Sequence, residues 1–243
     1  MRSAGLDLVK WMAMLTMVAD HLRFLWPAAD GLFVIGRLAF PLFCLAIAVN
    51  VGRSTAGALC TAGNARYLGW LLLFAVLSEG PYRWLDSGSQ TFSVMPTLGL
   101  GLLLAWSVHH PQMAARALGL CTLVVATLFS ARLMYGLAGV LLPTAWLVAR
   151  SRGGAAWLLP GLAAMAGNLT NSWLREHLAA PITLLTVLAA VLSVPLGCLL
   201  LRRDDWQVPA VGRWGYLFYP VHLLAINALL CLWGECQPLE SIG

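Results

Sequence analysis

The sequence predicts an all-α fold: a polytopic integral membrane bundle of about nine transmembrane helices, N-terminus cytoplasmic, C-terminus outside. Three observations predict it. First, the 243 residues are 60% hydrophobic and only 10% charged, where a soluble domain carries about 25% charged residues, and mean hydropathy is +0.80. Such a chain cannot cover itself with polar surface. Second, a spanning helix takes about 20 apolar residues, so nine consume most of the chain and leave a single domain over residues 1–243 with no soluble module. Third, the arginines are asymmetric. Arg2, Arg53, Arg66, Arg116, Arg150, Arg152, Arg202, Arg203 and Arg213 fall in loops on one side, Arg83, Arg132 and Arg175 on the other. That is the positive-inside pattern, and it holds loop by loop.

The same composition excludes disorder, collagen-like chains and disulfide scaffolds. The net charge of +5 is scattered over loops, so topology explains it and no nucleic-acid partner is expected. The six cysteines show no CxxC or metal-ligand spacing, and no metal is expected; Cys231 and Cys236 are the one close pair. The first apolar run holds Asp7, Lys10, Asp20, His21 and Arg23, unlike a simple signal sequence.

The spans read as 6–26, 32–51, 67–85, 93–109, 115–130, 134–149, 155–170, 179–201 and 210–234. Trp26, Trp84, Trp173 and Trp233 fall at their outer ends, as an interfacial belt does. An ionisable residue inside the bilayer costs about 2.5–3.5 kcal/mol on insertion scales, so it persists when paired or functional. The first span ends in Asp20-His21-Leu22-Arg23. Neighbours on a helix point about 100° apart, so Asp20 pairs with Arg23 at i+3 or with Arg37 rather than with His21. This group reads either as a helix end reaching for headgroups or as a site.

The second span opens Gly36-Arg37-Leu38-Ala39-Phe40-Pro41. Pro41 frees the carbonyl of Arg37 and kinks the helix, leaving Arg37 either interfacial or free to hold an anion. In the third span, Glu79 either orients an imidazole or bridges to Arg83 at i+4. The fifth and sixth spans are separated by Ser130, Ala131 and Arg132 and form a tight hairpin. The sixth begins Tyr135-Gly136-Leu137-Ala138-Gly139, where small residues at i and i+3 allow close packing. The seventh ends in Gly167-Asn168-Leu169-Thr170-Asn171-Ser172, which reads either as a loop entrance or as part of a site. The ninth carries Tyr219 and His222 on one face, with His222 near mid-membrane. His222 is either a satisfied interhelical donor or, with His21, a catalytic pair. His109 and His110 fall in an inner loop and need no special role.

Taken in order, Asp20-His21, then Gly36-Arg37-Leu38-Ala39-Phe40-Pro41-Leu42-Phe43 with Asn50-Val51-Gly52-Arg53, then Tyr135-Gly136-Leu137-Ala138-Gly139, and finally Phe218-Tyr219-Pro220-Val221-His222-Leu223 resemble the blocks of the TraX family. Asn168-Leu169 resembles a further short block. These matches run from about residue 7 to 230. The resemblance implies an acyltransferase-like domain in a bacterial inner membrane. It implies an enzyme that moves acetyl from cytoplasmic acetyl-CoA to the N-terminal amine of a processed pilin subunit during conjugative pilus biogenesis. It also implies an intramembrane catalytic histidine, which falls on His21. The region around Glu79 departs from the family pattern, so its role rests on the residues alone.

The chemistry fits these residues. An α-amine has a pKa of about 7.7–8.0, and a histidine, ordinarily about 6.5, can take its proton during attack. Arg37, Tyr219 and His222 are donors for the tetrahedral intermediate. Arg53, Arg66, Arg150 and Arg152, with Tyr135, are the candidates to hold acetyl-CoA, since no Gly-rich phosphate loop is present. The catalytic candidates are therefore His21, Asp20, Arg37, Glu79, His222 and Tyr219. Other readings stay open: direct transfer or an acetyl-histidine intermediate, another acceptor such as a glycan or lipid, a proton-coupled secondary transporter, or a structural assembly factor.

Overall fold

A computed structural model describes residues 3–203 and 205–234. These residues form eleven α-helices and no strand. In chain order they are α1 (Ala4–Leu22), α2 (Asp30–Gly36), α3 (Ala39–Arg53), α4 (Ala62–Leu85), α5 (Val94–His109), α6 (Met113–Leu128), α7 (Gly136–Arg152), α8 (Leu158–Asn168), α9 (Ser172–Glu176), α10 (Pro181–Leu201) and α11 (Trp214–Leu232).

Each expected segment coincides with a helix, and the differences have local causes. The second expected segment is two helices, because Pro41 has no N–H for the Arg37 carbonyl and the helix breaks at Arg37–Leu38. α4 starts earlier than expected because Thr61 caps it, its hydroxyl accepting from Asn64 N at 3.1 Å. A 3₁₀ turn over Ser130–Arg132 makes the hairpin, but α7 waits until Gly136. Tyr135 sits in the left-handed region at φ 64°, followed by Gly136 at φ 53°. The short α9 is an addition, nucleated by Asn171, whose side chain accepts from Leu174 N at 3.1 Å.

Among the described residues, three segments are long and apolar enough to cross a membrane: Asp30–Arg53, Pro181–Leu201 and Trp214–Leu232, with mean hydropathies of 2.4, 2.5 and 1.6. Val94–His109 and Met113–Leu128 are shorter apolar helices. α1 is also long but carries Asp7, Lys10 and Asp20, so composition alone does not mark it. The exterior is apolar: Val76 of α4, Leu120 and Leu128 of α6, and Leu184 and Leu188 of α10 all stand exposed. A soluble monomer rarely exposes so many large apolar side chains. Together these features mark a membrane protein.

α3 is the axis. Its residues Leu42, Cys44, Leu45 and Ala48 are fully buried, and it packs on α1, α5, α7 and α10. Around it runs a ring of neighbours, α1 to α11 to α4 to α5 to α7 to α8 to α10 and back to α1, with α6 outside against α5 and α7. α10 turns Thr183, Thr186, Ala190, Ser193 and Gly197 inward, a small-residue stripe that lets helices approach closely. α4 and α11 pack on each other and stand off from α3. The space left there is where the cavities lie.

The two ends of the bundle are distinct. At the end that carries Ser3, Lys10 Nζ donates to Val211 O at 3.0 Å. There, too, the α3–α4 loop is pinned by His109 and His110: His109 Nε2 donates to Ser54 O at 2.9 Å and His110 Nδ1 accepts from Gly57 N at 3.4 Å. Both histidines thus have a structural task that the sequence did not reveal. At the far end, Trp26 packs edge-on to Trp233 with ring centres 6.1 Å apart. Cys231 is disulfide-bonded. Cys236, its neighbour in the one close pair, whose pairing the sequence leaves open, lies outside the described residues, as does Arg2.

Candidate functional site

At the far end a cavity of about 260 Å³ opens among α1, the α2–α3 break, the α4–α5 loop, the start of α7 and the end of α8. Asp20, His21, Arg37, Tyr135, Asn168 and Tyr219 are among its walls. Four of the six catalytic candidates therefore share one space.

The α2–α3 break positions Arg37. Its Nε donates to Phe33 O at 3.2 Å and its guanidinium lies 4.2 Å from the centre of the Phe33 ring. The free end meets the Asp20 carboxylate in a charge-assisted hydrogen bond. Of the two partners open to Asp20, the fold selects Arg37, while Arg23 lies over the Phe24 and Phe33 rings at 5.0 Å. Gly36 makes the pairing possible, because a Cβ there would stand 2.4 Å from Asp20 Cβ. The helix is held from behind by Trp146, whose Nε1 donates to Pro41 O at 3.1 Å.

His21 is joined to His222, 8% exposed on α11. Nε2 of His222 lies 2.9 Å from Nδ1 of His21, and Nδ1 of His222 lies 2.9 Å from Phe218 O. A carbonyl only accepts, so His222 Nδ1 carries a proton. In the neutral pair, His222 Nε2 then accepts from His21 Nδ1–H, which leaves a lone pair on His21 Nε2. The two imidazoles form a directed chain that ends on a basic nitrogen. Tyr219 adds a hydroxyl beside them. The Tyr219 and His21 ring centres lie 6.4 Å apart.

Glu79 is not brought to the cavity. Oε1 accepts from Arg83 Nε and Oε2 from Ser93 N, each at 2.9 Å. Of its two expected roles, orienting an imidazole has no support in this geometry. The carboxylate instead ties α4 to the head of α5.

A second cavity of about 130 Å³ lies toward the other end, between α3 and the α4–α11 pair. Its walls include Lys10, Asn50, Tyr67 and Tyr216. Met17, Phe43, Val94 and Tyr219 line both cavities. The two spaces thus abut at a waist one side-chain layer thick, and Tyr219 is part of it. Arg53, in the last turn of α3, and Arg66, in α4, sit at the Lys10 end, as do Arg150 and Arg152 in the last turn of α7. None of the four lines either cavity. Tyr135, grouped with them in the sequence reading, belongs to the opposite cavity, stacked on Phe40 with ring centres 4.1 Å apart.

Two wall residues were missed as site candidates. Asn168 is 3% exposed, and its Oδ1 has no hydrogen-bond partner; an amide at the end of an apolar helix was the available signal. Asp86 lies in the α4–α5 loop, where burial raises its carboxyl pKa above the usual aspartate value. Arg23 and Arg83 nearby act against that shift.

Among the family comparisons, the model described as TraX protein matches residues 5–230. No curated protein and no solved structure matches the chain.

Proposed function

The chain belongs to the TraX family, and from that premise we propose that it is an acetyl-CoA-dependent membrane acetyltransferase whose acceptor is the N-terminal amine of a processed pilin subunit. One observation carries the reading at the level of chemistry: the His21–His222 chain ends on a free basic nitrogen in a cavity. A second cavity abuts it from the basic end.

In this reading the nine helical segments, counting α2 with α3 and setting α9 aside, cross a bacterial inner membrane. The arginine-rich end faces the cytoplasm. The tryptophans Trp26, Trp173 and Trp233, all exposed, and the Cys231 disulfide then lie on the oxidising side.

The donor supplies an acetyl carbonyl activated as a thioester. The Lys10-lined cavity suits its arm, since Lys10, Asn50, Tyr67 and Tyr216 are polar points along an otherwise apolar wall. Arg53 and Arg66 stand at that end for the phosphates, with Arg150 and Arg152 further round. His21 Nε2 accepts the amine proton as the N–C bond forms. Tyr219 and Arg37 donate to the carbonyl oxygen as it gains charge. His21 then returns the proton to the departing thiolate as the C–S bond breaks. His222 holds His21 in the required tautomer and shares its positive charge. Asp20 neutralises Arg37 in the resting site. Direct transfer through the waist needs no covalent enzyme intermediate.

The test is the mass of mature pilin from cells carrying His21→Ala. Loss of the acetyl increment supports the reading; an acetylated pilin overturns it. Proton-driven uptake by vesicles with no need for CoA would instead identify a transporter using the same two cavities.

A further inference from the structure

We infer that Asn168 is the group by which the outer cavity recognises an acceptor as a primary amine rather than a hydroxyl. This rests on the proposed function in one respect, that the cavity takes an acceptor at all.

Asn168 closes α8 and lines the cavity with Oδ1 buried and unpartnered. Its orientation is set by the other half of the amide: Nδ2 donates to Ala164 O at 2.9 Å, and of the two ends of the amide only the nitrogen can donate to a carbonyl. Buried polar atoms are nearly always satisfied, so an orphan acceptor in a cavity wall is a standing demand for a donor. Several other polar groups of the wall are already paired. Asp20 is held by Arg37, and the Ser89 and Thr91 hydroxyls are joined to Tyr82. The carbonyl end of α8 adds partial negative charge at the same place.

A neutral primary amine has two N–H groups and one lone pair. Asn168 and His21 both line the cavity; in the inferred complex Asn168 Oδ1 and His21 Nε2 each accept one N–H, and the lone pair remains for the carbonyl carbon. A hydroxyl has one hydrogen and satisfies only one of the two. A site built to bond an N–H rejects the analogue that lacks it, because its own buried acceptor is left unpaired. Glycan and lipid hydroxyls are therefore poor occupants.

The test uses the full-length protein in nanodiscs and two fluorescent probes. One is a peptide with the mature pilin's free N-terminus; the other is the same peptide with its α-amine replaced by a hydroxyl. Binding is measured without donor. The wild type is expected to prefer the amine by at least tenfold, Asn168→Leu to lose that preference, and Asn168→Asp, which keeps an acceptor, to retain it. Equal binding of both probes by the wild type overturns the inference, whatever the variants do. So does an Asn168→Leu protein that still prefers the amine. Acetyl-CoA is then added. Amine preference lost in Asn168→Leu, without acetyl transfer by the wild type, upholds the inference and refutes the transferase reading.

Discussion

His21 and His222 lie 201 residues apart in sequence and 2.9 Å apart in space, Nδ1 to Nε2. The contact gives each ring a different task. His222 is anchored to its own helix through Phe218 O and faces away from reactants. His21 lines the cavity and keeps a second nitrogen that the contact with His222 does not use.

The two histidines therefore fail differently when replaced. His21→Ala removes the base and is expected to lower kcat by about 10²–10⁴-fold, the range for general base catalysis. His222→Phe removes only the tautomer lock and is expected to cost less. It should also leave the KM for acetyl-CoA unchanged. Steady-state kinetics of the purified variants between pH 5 and 9 checks both.

Asp20 and Arg37 form a partly buried ion pair, with side chains 16% and 11% exposed. Removing one partner strands the other charge. Arg37→Leu is expected to destabilise by about 3–5 kcal/mol, and Asp20→Asn added to it to recover part of that loss. Melting of the single and double variants in one detergent gives the coupling; strictly additive losses would show that the pair contributes nothing.

The waist is a steric prediction. Val94 lines both cavities, and Val94→Trp fills the layer between them. Transfer from acetyl-CoA is expected to fall at least tenfold with the fold intact by circular dichroism. Undiminished transfer would mean that the donor does not pass this way.

Asp86 links stability to pH. Its carboxyl pKa is raised by burial in the fold, so across the window between the unfolded and folded values the folded state binds more protons. Stability then declines as pH rises through that window. Asp86→Asn is expected to melt higher than the wild type at pH 7. That advantage should vanish as pH falls below the ordinary aspartate value of about 3.9. A pH-independent difference in melting temperature would contradict the assignment.

Much of this was legible in the sequence, and the reason is physical. The transfer of side chains to lipid is nearly additive along a chain, so hydropathy located the helical segments without knowledge of their neighbours. Pro41 announced the break beside Arg37 because a missing N–H is a local property. Asp20, His21, Arg37 and Tyr219 stood out because polar side chains in apolar runs are costly wherever they lie. Glu79 stood out for the same reason, yet its partners are Arg83 and Ser93 N. Cost flags a residue but not its use.

The amino-acid sequence by itself determined an all-helical chain with the apolar composition of a membrane protein and a short roster of costly polar side chains. Only the tertiary structure decided which of them meet. It joined His21 to His222, chose Arg37 over Arg23 for Asp20, left Asn168 Oδ1 buried without a partner beside a cavity, and sent Tyr135 to the end opposite the inner arginines. A hydrogen bond depends on distances of a few tenths of an ångström between helices far apart in the chain. Helical periodicity tells which face a residue occupies and is silent on what stands opposite.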